Sequence, residues 1–77
     1  MKKLNEFVAL FAEQFDYTAA SEIQSTTEFH KLDEWSSLIG LSVIAMVDEE
    51  FEVALKGDDV KTSVTVEDLY NKVIAKL

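Results

Sequence analysis

The first regular pattern in the chain runs over residues 4–15. There Leu4, Phe7, Val8, Phe11, Ala12 and Phe15 recur at the i, i+3, i+4, i+7 spacing of an amphipathic helix. Asp16-Tyr17-Thr18 ends it. Residues 17–36 hold no sustained period and are rich in Ser, Thr and Glu, which predicts a long loop. A loop of that length in a small domain is functional or well pinned, and Phe29 and Leu32 are its candidate pins. A second helix is predicted over residues 37–51, with Gly40, Val43, Ile44, Val47 and Phe51 on one face. Residues 52–64, holding Gly57 and Asp58-Asp59, read as a loop with one short helical turn. Thr65-Val66-Glu67-Asp68 has the form of a capping box, with Asp a weaker closing partner than Glu. The helix it opens carries Val66, Leu69, Val73, Ile74 and Leu77 on one face. Val64-Thr65-Val66 is too short and unpartnered to change the class. The expected fold is all-α: a small bundle of three to four helices with a long loop between helices 1 and 2, in a single domain over residues 1–77.

Size and composition narrow the function. A chain of 77 residues has little volume for a deep cleft, since small domains bury a smaller share of their surface. A binding module or carrier is expected before an enzyme. The hydrophobic fraction of 48% argues against disorder. No apolar run approaches the ~20 residues of a membrane-spanning helix. Asn5, Glu6 and Glu13 interrupt the leader-like start Met1-Lys2-Lys3, so a cytoplasmic protein is expected. There is no cysteine, so any thiol chemistry needs a thiol from an added group.

The net charge of −8 is unevenly distributed. Residues 33–59 hold Asp33, Glu34, Asp48, Glu49, Glu50, Glu52, Asp58 and Asp59 against Lys56 alone. A patch this acidic repels nucleic acid and attracts basic partners. Asp48, Glu49 and Glu50 stand near the C-terminal end of the second helix, where the helix dipole disfavours anions. Their placement suggests use by something other than the helix.

The chemistry centres on Trp35-Ser36-Ser37-Leu38. Ser36 is the candidate N-cap, which puts Ser37 in the first helical turn. A hydroxyl there sits at the positive end of the helix dipole, a position that favours a phosphate; two serines that merely cap the helix are the plainer alternative. Leu38, Ile39, Leu41, Ala45 and Met46 lie off the core stripe of the same helix. Apolar positions beside an acidic cluster predict a partner-binding surface, unless the helix is central and buried on nearly all sides. Gly40 costs a helix interior up to ~1 kcal/mol relative to Ala. Either another helix approaches closely there, or the space receives the start of an acyl chain.

These residues resemble the acyl carrier protein family, whose members bind phosphopantetheine. The family's Asp-Ser-Leu motif at the start of its second helix corresponds to Ser36-Ser37-Leu38. Ile44-Ala45-Met46-Val47-Asp48-Glu49-Glu50-Phe51 is similar to the family's acidic second helix, which ends in Glu-Glu-Phe. Thr65-Val66-Glu67-Asp68-Leu69 matches the start of its last helix. The resemblance implies a helical bundle of acyl-carrier type. It also implies that Ser37 receives 4′-phosphopantetheine from coenzyme A through a phosphopantetheinyl transferase. The arm then carries acyl groups as thioesters in fatty acid, polyketide or another specialised acyl-transfer pathway. Such a chain is not itself catalytic. The resemblance further implies partner contacts at Leu38, Leu41, Ala45, Asp48, Glu49 and Leu55, made to basic docking surfaces of transferase and synthase enzymes by a monomer. The chain departs from the family at Ser36, where the family has Asp, and at Ile39 and Ser42, where it has acids. These departures favour a specialised pathway or an aminoacyl or peptidyl carrier over housekeeping lipid synthesis.

The remaining candidates are weaker. His30, the only histidine, has no triad partners around it, and a solvated or capping role is expected. The carboxylate pairs lack the spacing of a calcium loop, so no dedicated metal site is expected. Trp35 reads as a packing residue that also shields the base of an arm on Ser37. The rival class is an unmodified acidic helical adaptor using the same apolar patch.

Overall fold

A computed structural model describes residues 3–77; Met1 and Lys2, where the leader-like start begins, lie outside them. The described chain is a small all-α bundle of four helices. These are α1 (Leu4–Ala12), α2 (Ser37–Phe51), α3 (Gly57–Lys61) and α4 (Val66–Ala75), with two single 3₁₀ turns at Ala20–Glu22 and Phe29–Lys31 in the long loop. α2 has the predicted bounds. α1 ends three residues early, at Ala12, yet Phe15 beyond it is still buried. The apolar period therefore continues past the helix because the turn carries Phe15 back onto the core.

An aromatic chain organises the interior. Phe7, Phe11 and Phe29 are fully buried. Phe7 lies 5.6 Å from Phe51 and 5.5 Å from Tyr70, so it links α1 to α2 and α4. Phe11 lies 5.3 Å from Phe29 in an edge contact, which draws the long loop inward. Ring pairs at these separations contribute about 0.5–1.5 kcal/mol beyond their area burial. Phe29 is thus the expected pin, while Leu32 is only partly buried.

Side chains tie the loop to its neighbours. The Glu34 carboxylate accepts the N–H groups of Asp16, Tyr17 and Thr18 at 2.6, 2.9 and 2.7 Å, and the Thr18 hydroxyl at 2.8 Å. At the other end, the N–H groups of Val66 and Glu67 donate to the carbonyls of Thr27 and Ser25. Two orphan donors of the α4 N-terminus are satisfied that way. The capping box forms as well: Thr65 Oγ1 accepts from Asp68 N–H at 3.1 Å, and Asp68 Oδ2 accepts from Thr65 N–H at 3.0 Å. Thr65 pairs with Glu28 in one isolated antiparallel bridge. The short β-rich run therefore ends in a single bridge.

Three expectations are corrected. Leu55, implied as a partner contact, is only 6% exposed and belongs to the core. Beyond the left-handed Glu52, burial alternates along residues 53–56 between α2 and α3 as in an extended run, and Val53 and Leu55 are both buried. Ile39 and Met46, placed off the core stripe, are buried too. α2 sits between α1, α3 and the loop, and its buried arc is wider than one stripe. Leu77, assigned to the core face of the last helix, lies past its end and is 61% exposed. No helix among the described residues is long and apolar enough to cross a membrane.

Candidate functional site

Ser36 is the N-cap of α2. Its backbone is extended, and its Oγ accepts from the N–H of Ile39 at 3.4 Å. Ser37 follows as the first helical residue and is exposed. The arrangement separates two roles: one hydroxyl is used by the helix, and the next is presented to solvent at the positive end of a fifteen-residue helix. The helix closes at Glu52, which adopts the left-handed conformation with φ 56°. That residue turns the chain sharply toward α3.

A groove of about 350 Å³ opens beside Ser37. Along α2 it is lined by Ser37, Gly40, Leu41 and Ile44; Val60 and Lys61 of α3 form the far wall, and Trp35 and His30 close it toward the loop. This lies near the small end of ligand clefts, about 300–1,000 Å³.

Gly40 explains the groove's depth on the α2 side. A Cβ on Gly40 would stand 3.5 Å from the Trp35 ring, an ordinary contact. Close packing therefore does not demand glycine here, and alanine would fit. What glycine leaves is room for about one methyl against the Trp35 ring, in the second turn of a helix that would be more stable with alanine.

Trp35 packs face to face with Phe11, 6.3 Å apart and 3° from parallel, and edge-on to Phe29 at 4.8 Å. His30 lies across Phe29 at 4.4 Å and edge-on to Trp35 at 5.2 Å. Its Nε2 is 3.0 Å from the Val60 carbonyl oxygen. A carbonyl only accepts, so Nε2 carries the proton. His30 thus takes the expected capping role, on the last turn of α3. Two other carbonyls of that helix are also occupied. Asp58 O accepts from the Thr62 hydroxyl at 2.7 Å, and Asp59 O accepts from the Ser63 hydroxyl at 2.7 Å and from Lys72 Nζ at 3.0 Å. The Asp59 carboxylate caps the start of α3 through the N–H of Lys56 at 2.9 Å. That bond holds the Asp59 carboxyl below its ordinary pKa against a partial desolvation that raises it, and Lys76 and Lys72 add to the lowering.

The outer face of α2 carries most of the implied partner contacts. Leu38 is 72% and Leu41 63% exposed; Ala45, Asp48 and Glu49 are also exposed. Residues 38, 41, 45 and 48 form one stripe at helical spacing, apolar near Ser37 and acidic at the far end. Leu55 is not brought to it. The groove itself could not be read from the sequence, because its far wall lies about twenty residues beyond Ser37 and the run 52–56 gives no sign of how α3 returns. Among the described residues no group of three or more His or carboxylate side chains is placed to hold a metal ion. Comparison with family models, with curated proteins and with solved structures finds no match to this chain.

Proposed function

We propose that the chain is an acyl carrier protein whose Ser37 bears a 4′-phosphopantetheine arm. The observation that supports this reading best is the exposed Ser37 hydroxyl at the start of α2, beside an apolar groove that Gly40 also lines. The residues fit the group. The helix N-terminus favours the phosphodiester's negative charge, and Trp35, Gly40, Leu41, Ile44 and Val60 offer apolar surface to what the arm bears. When bound, the arm supplies the thiol that the chain lacks. In loading, Ser37 Oγ would form the new bond to phosphorus and give its proton to a base of the transferase, while the pyrophosphate P–O bond of coenzyme A breaks and 3′,5′-adenosine bisphosphate leaves. Leu38, Leu41, Ala45, Asp48 and Glu49 form the docking stripe for partners with a basic surface and an apolar recess. The pathway is fatty acid, polyketide or another specialised acyl transfer, in the cytoplasm, and the chain carries rather than catalyses.

The test is intact mass after incubation with coenzyme A and a broad-specificity phosphopantetheinyl transferase. The expected result is a gain of one phosphopantetheinyl group, absent in Ser37→Ala. Absence of the gain in both the natural chain and Ser36→Asp, which restores the family's acid, would overturn the carrier reading. The α2 stripe would then be read as an adaptor surface.

A further inference from the structure

We infer that the groove selects an acyl group whose far end is a carboxylate on a short apolar spacer, and that Lys61 makes the selection. This rests on the carrier reading of Ser37. A flexible arm stands between Ser37 and its load, so the chemistry of the walls decides what enters, not a length counted from Ser37. The chain holds fifteen acids against seven lysines, yet no Asp or Glu lines this groove. Two other hollows have the sign that the composition leads one to expect. The one between α1 and α2 is lined by Glu13, Glu49 and Glu50, and the one in the long loop by Glu22, Asp33 and Glu34 against Lys31. The residues lining the groove beside Ser37 include instead one lysine, Lys61, and one histidine, His30.

Lys61 is exposed and uncommitted. Lys31 pairs with Glu28 at 3.2 Å, Lys76 pairs with the Asp59 carboxylate at 3.7 Å, and Lys72 donates to Asp59 O and Thr62 Oγ1. Among the described residues Lys61 has no such partner, although Asp58 and Asp59 stand on its own helix; the Asp59 carboxylate is turned to Lys56 N–H and to Lys76. His30 does not compete for an anion. Its Nε2 proton is held by the Val60 carbonyl, and in the neutral ring Nδ1 only accepts. A lysine lays its methylenes along apolar surface and keeps its ammonium in water. Lys61 can therefore meet a carboxylate at the rim while the methylenes of the load lie against Trp35, Ile44 and Val60.

The experiment loads the natural chain, Lys61→Met and Lys61→Glu with adipyl and with hexanoyl groups, using the coenzyme A thioesters and the transferase. The two loads have the same number of carbons and differ only at the far end. Intact mass is read first. The rate at which hydroxylamine cleaves each thioester is then compared with that of the same acyl group on free pantetheine, which gives its protection. In the natural chain adipyl is protected at least as well as hexanoyl. Lys61→Met lowers the protection of adipyl by about twofold to fivefold, Lys61→Glu lowers it further, and neither moves hexanoyl. Added salt shrinks the adipyl difference. Because residue 61 is exposed, both variants fold. The inference is overturned if hexanoyl is the better protected in the natural chain, or if neither load responds to the substitutions. It is also overturned if both loads respond alike, as they would if Lys61 served only the α3 dipole or the phosphate of the arm. A mass gain without an adipyl-specific response removes this inference and leaves the carrier reading standing; no mass gain removes both.

Discussion

On the side of the bundle where α1 meets α4, Phe7, Phe11, Val66, Leu69 and Val73 are fully buried, and the rings of Phe11, Phe7 and Tyr70 pack in sequence. On the side where α2 meets α3, Leu38 and Leu41 stand mostly in water and a groove separates the two helices. The same kinds of apolar residue are spent differently. The first side holds the fold through area and close packing. The second keeps apolar surface uncovered, and its short wall, the five-residue α3, is too short to be stable alone. It is held from outside by His30, Lys72, Thr62 and Ser63. A chain with so few residues separates the part that folds it from the part that leaves apolar surface open.

The largest effect that can break this division comes from truncating one apolar residue on each side. Phe11→Ala removes a fully buried ring that touches Phe7, Phe15, Phe29 and Trp35. It is expected to cost about 3–5 kcal/mol, a large share of the stability of so small a domain. Leu41→Ala, at 63% exposure, is expected to stay within about 0.5 kcal/mol while weakening partner docking. Chemical denaturation of both variants measures the contrast. Comparable losses would show that the groove side is part of the folding core.

The division also explains what could be read from residue order. Local chemistry was legible: the Ser36 cap, the start of α2 at Ser37 and the Thr65–Asp68 box each depend on neighbours a few positions apart, and Phe29 stood out as a large apolar residue in a polar loop. Helical spacing alone put Leu38, Leu41 and Ala45 off the core face, where they are exposed; the set completed by Asp48 and Glu49 was what the family resemblance implied. Leu55 did not, because it lies in an extended run where period two replaces 3.6, so its inward turn is invisible to a helical reading. Ile39 and Met46 were misplaced because a central helix buries more than one stripe. Tyr70, buried against Phe7, has a polar tip that hides its core role. The Glu34 clamp and the groove were out of reach. Both join segments sixteen or more positions apart through side chains whose directions only the folded chain sets.

A smaller effect sharpens the contrast on the groove side. Lys72→Met keeps the apolar stem but removes the donor to Asp59 O and to Thr62 Oγ1, the latter at 2.6 Å. The loss is expected to be local. Amide hydrogen exchange over residues 57–61 should speed up by roughly fivefold to tenfold, about 1 kcal/mol for one hydrogen bond, with little change at Phe7 and Phe11. Exchange that rises equally in α1 would mean that α3 opens only with the whole bundle, and that the two sides are one cooperative unit.

The smallest effect concerns charge, and it touches both sides. At Glu34, partial desolvation raises the pKa; the Thr18 hydroxyl and the N–H groups of Asp16, Tyr17 and Thr18 outweigh it and hold the carboxyl below its ordinary 4.5. Asp68 is held below 3.8, first by the Thr65 N–H, against desolvation, and further by Val64 N–H and the Thr65 hydroxyl; Asp59 is lowered likewise. A carboxyl with a depressed native pKa contributes stability that is fully present above its unfolded pKa. That contribution is lost as pH falls through the native value. Acid also relieves the mutual repulsion of Asp48, Glu49 and Glu50, which acts in the opposite direction and blurs the raw pH profile. The difference between the natural chain and Glu34→Gln isolates the clamp. The variant's melting temperature should be the lower of the two at neutral pH, and the gap should narrow as pH falls below about 4.5, where the unfolded carboxyl takes a proton, and on through the lower native value. A gap that stays constant down to about pH 3 would mean that the clamp depends on shape rather than on charge.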